Sequence, residues 1–313
     1  MISHPEKLLF PEDGITKGEV AAYYEMVAPL MLPYLRGRPV TMERFPSGIG
    51  KAGFMQKDVS RGFPEWLKRV DVPKKDGVVH HPLVDDLRSL KWLANQNCIT
   101  PHVWTSRVPK LFYPDVLVFD LDPMEEELDV LRAAALAVRD LMSEIGLQSW
   151  VKTSGSKGFH IIVPLDGKAD FNVVGAFTDL AGNVLVSRDP EHLTREFAKV
   201  DRGGRILVDT WRNSYGATFA AAYAIRPKPG APVSAPCTWE EVENGSALPQ
   251  SFSVRTMAAR IEAAGDLWAD MRTRRYSLKR PMQRLEKLAA ASPTAAPRIS
   301  SRAELFAKAR SHS

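Results

Sequence analysis

Hydrophobic positions in the middle of the chain follow the period of strands and of one long helix. Val116-Leu117-Val118-Phe119 is an uninterrupted apolar run of β-branched and aromatic residues, which predicts a strand buried on both faces. A helix follows, because Leu128, Leu131, Ala135, Val138, Met142 and Ile145 fall on one face and Gly146 ends the pattern. QSWVKTSGSKGFHIIVPL then predicts two strands joined by a loop of small residues.

The flanking segments add further elements. Thr16 to Glu19 has the form of a capping box, which predicts the start of an amphipathic helix, VAAYYEMVAPLMLPYL. VDDLRSLKWLANQN predicts a second helix, and helical patterns recur at 170–186, 190–199, 254–264 and 281–290. The remaining predicted strands are ITPHVWTSR, GRILVDTW and the start of AAYAIRPKPG, which ends in a turn.

Composition and charge exclude several classes of protein. The chain has 313 residues, of which 44% are hydrophobic and 25% charged, as in ordinary globular proteins. A net charge of +5 permits binding of nucleic acid or phosphate without requiring it. Two cysteines, Cys98 and Cys237, exclude a disulfide scaffold and suit a reducing cytosol. The N-terminus shows no signal peptide or membrane span, so we expect a cytoplasmic protein.

Two carboxylates end the apolar strand in VLVFDLDP. Because side chains alternate along a strand, Asp120 and Asp122 project from the same face. Like charges held so close repel unless a cation neutralises them, and a divalent metal with oxygen ligands, Mg²⁺ or Mn²⁺, would do so. The alternative is a solvated turn, since Asp-Pro followed by three glutamates also suits a turn and a helix start.

Asp209 is a third carboxylate at the end of an apolar strand, in ILVDTW. Three convergent carboxylates can hold two metal ions about 4 Å apart, an arrangement that activates an attacking hydroxyl and stabilises a leaving pyrophosphate. Considered alone, Asp209 fits better as a strand-end or turn residue.

The loop SGSKGFH combines small residues with hydroxyl, ammonium and imidazole groups, which would suit a triphosphate. It is not a Walker A loop, because the spacing of that motif is absent, and a flexible hairpin is the alternative. His160 alternates with Ile162 and is expected to point inward or into a cleft. Arg226 and Lys228, two residues apart, would aim two cations in one direction, or form a solvated basic turn.

The order of these motifs resembles a known family. The chain resembles the archaeo-eukaryotic primase superfamily and, within it, the polymerase domain of bacterial end-joining ligase D. The shared motifs, in the same order, are His102, FDLDP, SGSKGFH, VDTWRN and RPKPG. The resemblance runs from HPEKLLFP at residue 4 to about residue 270 and includes FMQKD, which is similar to the FFxK segment of the family. Met55 replaces the second aromatic residue of that segment.

The resemblance implies an α/β (α+β) fold of the primase type, with a central, mostly antiparallel sheet flanked by helices. We expect one polymerase domain over 1–290, in which an N-terminal part (about 1–100) packs on the catalytic sheet (about 101–240) and C-terminal helices follow. Residues 291–313 are rich in Ala, Ser and Pro and are expected to be a flexible tail. The chain is either an excised polymerase domain or a stand-alone member, and its own Met1 and tail favour the stand-alone member. We also expect a monomer.

The resemblance also implies roles for individual residues. Metal ligands and catalytic residues would be Asp120, Asp122 and Asp209, with two Mn²⁺ or Mg²⁺ ions. The incoming ribo- or deoxyribonucleoside triphosphate would be held by Ser154, Lys157, Gly158, His160, His102, Arg226 and Lys228. DNA would be bound by Lys7, Lys17, Arg44, Phe54 and Lys57, with the first two gripping a 5′-phosphate.

The resemblance therefore implies a bacterial gap-filling enzyme in end joining, acting on gapped or broken double-stranded DNA and often favouring ribonucleotides. A DNA ligase and an end-binding protein would be its partners. Lys17 would lie in the first turn of a helix, whose N-terminus adds partial positive charge and free N–H groups for a phosphate.

Three other functions remain as alternatives. A non-catalytic DNA-end-binding module would need no triad of acids. A phosphatase with the Asp-x-Asp motif fits poorly, because Pro123-Met124 follows the second aspartate where a small or β-branched residue is usual. A glycosyltransferase with that motif would leave Lys7, Lys17 and the SGSKGFH loop without a role.

Overall fold

The computed structural model describes residues 2–59, 62–74, 77–124 and 127–291. The predicted tail at 291–313 lies outside these residues, apart from Ala291. Of the helices that the structure describes, none has both the length and the apolar character needed to cross a membrane.

Helices and short strands alternate along the chain. The helices are α1 (Lys17–Leu35), α2 (Leu87–Asn95), α3 (Leu128–Glu144), α4 (Phe171–Arg188), α5 (Lys199–Arg202), α6 (Trp239–Glu243), α7 (Met257–Ala264) and α8 (Lys279–Ala291), with 3₁₀ turns at Trp211–Asn213 and Met271–Thr273. The strands are β1 (Leu8–Phe10), β2 (Ile15–Thr16), β3 (Val40–Arg44), β4 (Phe54–Gln56), β5 (Arg69–Lys74), β6 (Gly77–Pro82), β7 (Cys98–Val103), β8 (Val116–Asp122), β9 (Trp150–Thr153), β10 (Phe159–Pro164), β11 (Leu193–Thr194), β12 (Ile206–Asp209), β13 (Phe219–Ala220) and β14 (Pro236–Cys237).

Two sheets organise the molecule. The larger has six strands in the order β11-β12-β8-β10-β9-β14, in which β11 and β12 pair in parallel and the other pairs are antiparallel. The smaller has four antiparallel strands in the order β13-β7-β3-β4, and β1-β2 and β5-β6 form separate two-stranded pairs. The prediction of a mixed fold with a mostly antiparallel sheet flanked by helices is confirmed.

Strand β8 explains why carboxylates end so apolar a run. Leu117, Phe119 and Leu121 point into a core that also contains apolar residues of α3, α4 and α8. Val116 and Val118 point into a second core, shared with α1 and the smaller sheet. Asp120 and Asp122 share the face of Val116 and Val118 because strand side chains alternate, so they lie where the second core gives way to a cavity.

The helix predicted by the capping box begins as expected. Thr16 caps α1 by accepting a hydrogen bond from the backbone N–H of Glu19, whose carboxylate accepts in return from the backbone N–H of Thr16. The helices predicted at 170–186, 254–264 and 281–290 also form, with ends shifted by a few residues.

Two predicted elements are wrong. The helix predicted at 190–199 is not formed: Leu193–Thr194 is a strand, β11, and a helix begins only at Lys199. Parallel pairing of β11 with β12 supplies the backbone partners that a helix would have supplied. The strand predicted at the start of AAYAIRPKPG, which begins at Ala221, is not formed: β13 ends just before it, at Ala220, and Ile225 makes only an isolated bridge to Val233. Tyr223 has a φ of 67°, which interrupts an extended strand.

Asn213 completes the pairing of β8 after β12 has ended. Its buried side chain accepts a hydrogen bond from the backbone N–H of Val118 at 2.9 Å and donates to the carbonyls of Val118 at 2.7 Å and Thr210 at 2.9 Å. One amide side chain thus takes the place of a strand residue beside β8.

Asn213→Ala should destabilise the fold, because it leaves buried backbone groups without partners. We expect a loss of about 2–4 kcal/mol in the free energy of unfolding, measured by urea denaturation. Asn244→Ala is the matched control, since Asn244 makes its side-chain bond at an exposed position. A loss no larger than that of the control would contradict the proposed role of the Asn213 amide.

Candidate active site

Four ionisable side chains form a row across the larger sheet. Asp209 of β12 lies opposite Asp120 of β8, Asp120 lies opposite His160 of β10, and His160 lies opposite Lys152 of β9. Residues directly opposite one another share a face of the sheet, so all four side chains lie on the same side. Hydrogen-bond register therefore assembles a polar row from four separate segments of the chain.

A cavity of about 950 Å³ opens at this row, a volume within the range of small-molecule sites. It is bounded by the ends of β8, β10 and β12, by the loop before β10, by the 196–202 segment and by His102, Phe219 and Ala220 of the smaller sheet. The cavity brings together nine of the residues predicted from the sequence: His102, Asp120, Asp122, Ser154, Lys157, Gly158, His160, Asp209 and Arg226. Lys228, also predicted, does not line it.

Arginines neutralise the carboxylates. Arg212 Nε lies 3.0 Å from Asp120 Oδ2 and 3.5 Å from Asp209 Oδ2, so one guanidinium bridges the two. Arg202 Nη1 lies 2.9 Å from Asp122 Oδ2, and the Arg202 side chain is buried. Neither Arg202 nor Arg212 was predicted as a site residue from the sequence.

Burial and charge set the ionisation of the two buried acids. Asp120 and Asp209 are only 9% and 5% exposed. Burial raises the pKa of Asp120, but His160 and Arg212 together outweigh it and hold that pKa below its ordinary value. Burial and the neighbouring Asp120 raise the pKa of Asp209 to about 6, against the opposing charge of Arg212.

The donor set suits a hard divalent cation once the arginines move. Among the described residues, no group of three or more His, Cys, Asp or Glu side chains is arranged to hold a metal ion. Asp122 is paired with Arg202. Carboxylate oxygens are the ligands that Mg²⁺ and Mn²⁺ prefer. Because Arg212 already marks a cation position between Asp120 and Asp209, these residues fit a metal that replaces it.

Ser154 shapes the loop between β9 and β10. Its hydroxyl accepts hydrogen bonds from the backbone N–H of Ser156 at 3.1 Å and of Gly158 at 3.0 Å, so these N–H groups already have a partner. A Cβ on Gly158 would lie 1.7 Å from the carbonyl oxygen of Leu121, so only glycine allows the loop to pack on β8. The loop is therefore closed on itself and rigidly attached, and the ammonium of Lys157 extends from it near Met124.

Basic and imidazole groups form the opposite wall of the cavity. Arg226 Nη1 donates to the carbonyl of Ser154 at 3.0 Å, which ties the segment after β13 to this loop. His102 Nε2 lies 2.9 Å from Glu43 Oε2. Burial lowers the pKa of His102, and Glu43 offsets part of that effect. Glu43 and Lys152 are further residues of the site that the sequence analysis did not identify.

Lys7 and Lys17 converge at the start of α1, as predicted. The backbone N–H of Lys17 donates to the carbonyl of Lys7 at 2.7 Å, and burial, followed by the charge of Lys7, lowers the pKa of Lys17. Lys17 is only 3% exposed and its ammonium lies 3.1 Å from Ser3 Oγ, while the ammonium of Lys7 donates to the carbonyl of Pro46.

The prediction of free N–H groups at the start of α1 is wrong for its first three residues. The N–H of Lys17 donates to Lys7, that of Gly18 to the carbonyl of Pro5 at 2.8 Å, and that of Glu19 to Thr16 Oγ1. The chain folds back from residue 7 to residue 17 and takes up these donors itself. The positive charge that remains at this end of α1 comes from the lysine side chains and the helix dipole.

Arg44, Phe54 and Lys57 lie together on the edge of the smaller sheet. Arg44 pairs with Phe54 between β3 and β4, and its guanidinium carbon lies 5.3 Å from the centre of the Phe54 ring. Phe54 and the adjacent Met55 are exposed, and Lys57 follows directly after β4. The structure thus presents an exposed aromatic ring beside the Arg44 guanidinium on one face of this edge strand, and Met55 on the other face.

A comparison with family models matches residues 16–268 to the primase-polymerase domain of LigD. A multifunctional non-homologous end joining protein LigD from Mycolicibacterium smegmatis is 32% identical over 273 residues, or 86% of this chain and 36% of that protein. The corresponding protein from Pseudomonas aeruginosa is 34% identical over 291 residues, or 90% of this chain and 34% of that protein. The chain thus spans about a third of the length of these curated relatives.

The fold also matches a solved structure. The polymerase domain of Mycobacterium tuberculosis ligase D, in complex with DNA, superposes with a TM-score of 0.83 at 33% sequence identity, covering 88% of this chain and 99% of that one. Both the sequence match and the superposition extend across the two sheets and the cavity between them. The chain belongs to the LigD primase-polymerase domain family.

Proposed function

We propose that this protein is a DNA-dependent nucleotidyltransferase that extends a 3′ end to fill short gaps or ends in broken DNA. The observation that carries this proposal is the division of one cavity into two halves. Asp120 and Asp209 form an acidic half, and His160, Arg226 and the Ser154 loop form a half rich in hydrogen-bond donors. A metal-bound triphosphate needs both kinds of group within a few ångströms.

In this proposal Asp120, Asp122 and Asp209 would hold two Mg²⁺ or Mn²⁺ ions, which would supply activation of the attacking 3′-hydroxyl and charge stabilisation for the leaving pyrophosphate. Arg212 has room to leave the carboxylates, because its side chain is 41% exposed. Ser154, Lys157, His160 and Arg226 bind the triphosphate, and charged donors make hydrogen bonds to phosphate stronger than neutral ones do. His102 completes the opposite wall.

DNA would lie along the lysines of the N-terminal part and the exposed edge of the smaller sheet. Lys7 and Lys17 would bind a downstream 5′-phosphate, and Arg44, Phe54 and Lys57 would contact the template. Cations and an exposed ring suit this task, since ammonium and guanidinium groups bind phosphates and aromatic rings stack on bases.

The relatives support a role in DNA end joining, because the proteins from M. smegmatis and P. aeruginosa are described as multifunctional non-homologous end joining proteins. A DNA ligase and an end-binding protein would then act beside this chain. The family resemblance also supports a preference for ribonucleotides and for Mn²⁺. The first test is template-dependent incorporation of a labelled nucleotide into a gapped duplex, which neither an end-binding module nor a phosphatase performs.

Asp120→Asn should abolish nucleotide addition, because the row loses the carboxylate that both Arg212 and a metal ion would contact. We expect a loss of about 10³-fold or more in rate, which corresponds to several kcal/mol of lost charge stabilisation. DNA affinity should change by no more than about twofold, since binding depends mainly on cation–phosphate contacts.

The control for this prediction is Asp140→Asn, at an exposed position on α3. Primer extension and a DNA-binding titration measure both effects. Near wild-type extension by the Asp120 variant would contradict the assignment of the catalytic acids.

Alanine in place of Lys157, His160 or Arg226 should weaken nucleotide use much more than DNA binding. Each variant removes a hydrogen-bond donor from the cavity, so the KM for the nucleotide should rise by about 10-fold or more. Lys168→Ala is a control that removes one cation, as Lys157→Ala does, at an exposed loop position. Equal losses of nucleotide and DNA affinity in the three variants would show that the loop does not bind the triphosphate.

A downstream 5′-phosphate should increase affinity for a gap, relative to a 5′-hydroxyl, through Lys7 and Lys17. The double variant Lys7→Ala with Lys17→Ala should remove that difference and flatten the salt dependence of binding, while catalysis persists at high DNA concentration. The control is the double variant Lys91→Ala with Lys168→Ala, which removes two charges elsewhere. It should still bind the gap with a 5′-phosphate more tightly than the gap with a 5′-hydroxyl. Equal binding of the two duplexes by the wild-type protein would refute the phosphate site.

A further inference from the structure

Lys152, the last member of the polar row, has no part in the chemistry proposed above. It is 0% exposed, although lysines are rarely buried completely. Its ammonium lies 2.7 Å from Nδ1 of His160, contacts Ser234 Oγ and sits 5.7 Å from the centre of the Phe219 ring. A buried cation placed behind a residue of the active site needs an explanation.

Hydrogen-bond donors and acceptors fix the direction of the contact with Ser234. The hydroxyl of Ser234 donates to the carbonyl of Thr153 at 2.9 Å, so its oxygen is left to accept from Lys152. Lys152 is therefore a donor on that side. Burial lowers the pKa of Lys152 well below its ordinary value, but an amine and an ammonium both carry N–H donors.

The contact between His160 and Asp120 also indicates that Lys152 is the donor in its hydrogen bond to His160. Nε2 of His160 lies 3.3 Å from Oδ1 of Asp120, and Asp120 is paired with Arg212 as a carboxylate, which only accepts hydrogen bonds. The contact therefore places the ring proton on Nε2. In a neutral imidazole Nδ1 is then the acceptor, and Lys152 is the donor that it faces.

We propose that Lys152 is a positioning residue for nucleotide binding: its hydrogen bond to Nδ1 of His160 keeps the ring proton on Nε2, where it is shared between Asp120 and a triphosphate oxygen. This inference rests on the proposed function. With the proton on Nδ1 instead, Nε2 would present a lone pair to Asp120 and to the phosphate oxygens, and both contacts would become repulsive.

The first test compares two replacements of Lys152. Lys152→Met keeps most of the length of the side chain but removes the donor, and the nucleotide KM should rise about tenfold, as expected for one hydrogen bond of about 1.4 kcal/mol. Lys152→Gln retains an N–H donor and should recover most of the loss. DNA affinity should remain unchanged in both variants. Equal KM values for the Met variant and the wild type would overturn the inference.

The control for a purely structural role is Arg38→Met, which removes a different buried cation, paired with Asp115 far from His160 along the chain. It should lower Tm without a selective effect on the nucleotide KM. A rise in KM equal to that of Lys152→Met would show that loss of any buried cation is sufficient.

A double-mutant cycle tests whether Lys152 acts through His160. In a His160→Ala background, Lys152→Met should cause no further change in nucleotide KM, because the ring that it positions is absent. Fully additive effects of the two substitutions would mean that Lys152 acts independently, and would overturn the inference.

The tautomer can be measured without any activity. ¹⁵N spectra of histidine-labelled protein, in which the His160 signals are assigned by their loss in His160→Ala, should show a protonated Nε2 in the wild type. In Lys152→Met, where only Asp120 favours that tautomer, the share of rings protonated on Nε2 should fall, and an unchanged share would overturn the inference. A wild-type ring protonated on Nδ1 would refute the positioning role even in an active enzyme. A wild-type protein that uses no nucleotide would instead overturn the proposed function, together with the role of Lys152 in it.

Discussion

The register of β8 between β12 and β10 is the constraint on which the site depends. Asp120 faces Asp209 on one side and His160 on the other only in this alignment. A slip by one residue would turn Asp120 into the core of α3 and α4 and place Phe119 in the cavity. The two apolar cores on the faces of β8 exclude such a slip, because Leu117 and Val118 are buried on opposite sides. Apolar packing thus fixes the position of the carboxylates.

A row of buried charges would be unstable without compensation. Arg212 comes from the 3₁₀ turn directly after β12, so the turn that ends this strand also supplies the cation for Asp209 and Asp120. Arg202 comes from α5, on the other rim of the cavity, and neutralises Asp122. Burying carboxylates near their cations costs less than burying them alone. The fold can therefore hold the acids close together before any metal binds.

The sequence predicted those residues of the candidate site whose signal lies in their immediate neighbours along the chain. Apolar runs ending in acids revealed Asp120, Asp122 and Asp209, and the loop composition revealed Ser154 and its neighbours. Partners remote along the chain were not visible in any local pattern: Glu43 is 59 residues from His102, and Ser234 is 82 residues from Lys152. Lys152 sits within a strand whose pattern gives no sign that it is buried. The helix predicted at 190–199 was wrong because parallel pairing with β12 outweighed local propensity.

The smaller sheet connects the nucleotide cavity to the surface proposed for DNA. His102 of β7 lines the cavity and lies opposite Thr41 of β3, and β3 also pairs with β4, which carries Phe54. Strands in a sheet are spaced about 4.8 Å apart, so β4 lies about 10 Å from β7. Because strand side chains alternate, the register places Met55 on the face of Glu43 and His102, and Phe54 with Arg44 on the opposite face. Strand β3 therefore supports both regions, since Glu43 contacts His102 on one face and Arg44 packs on the Phe54 ring on the other.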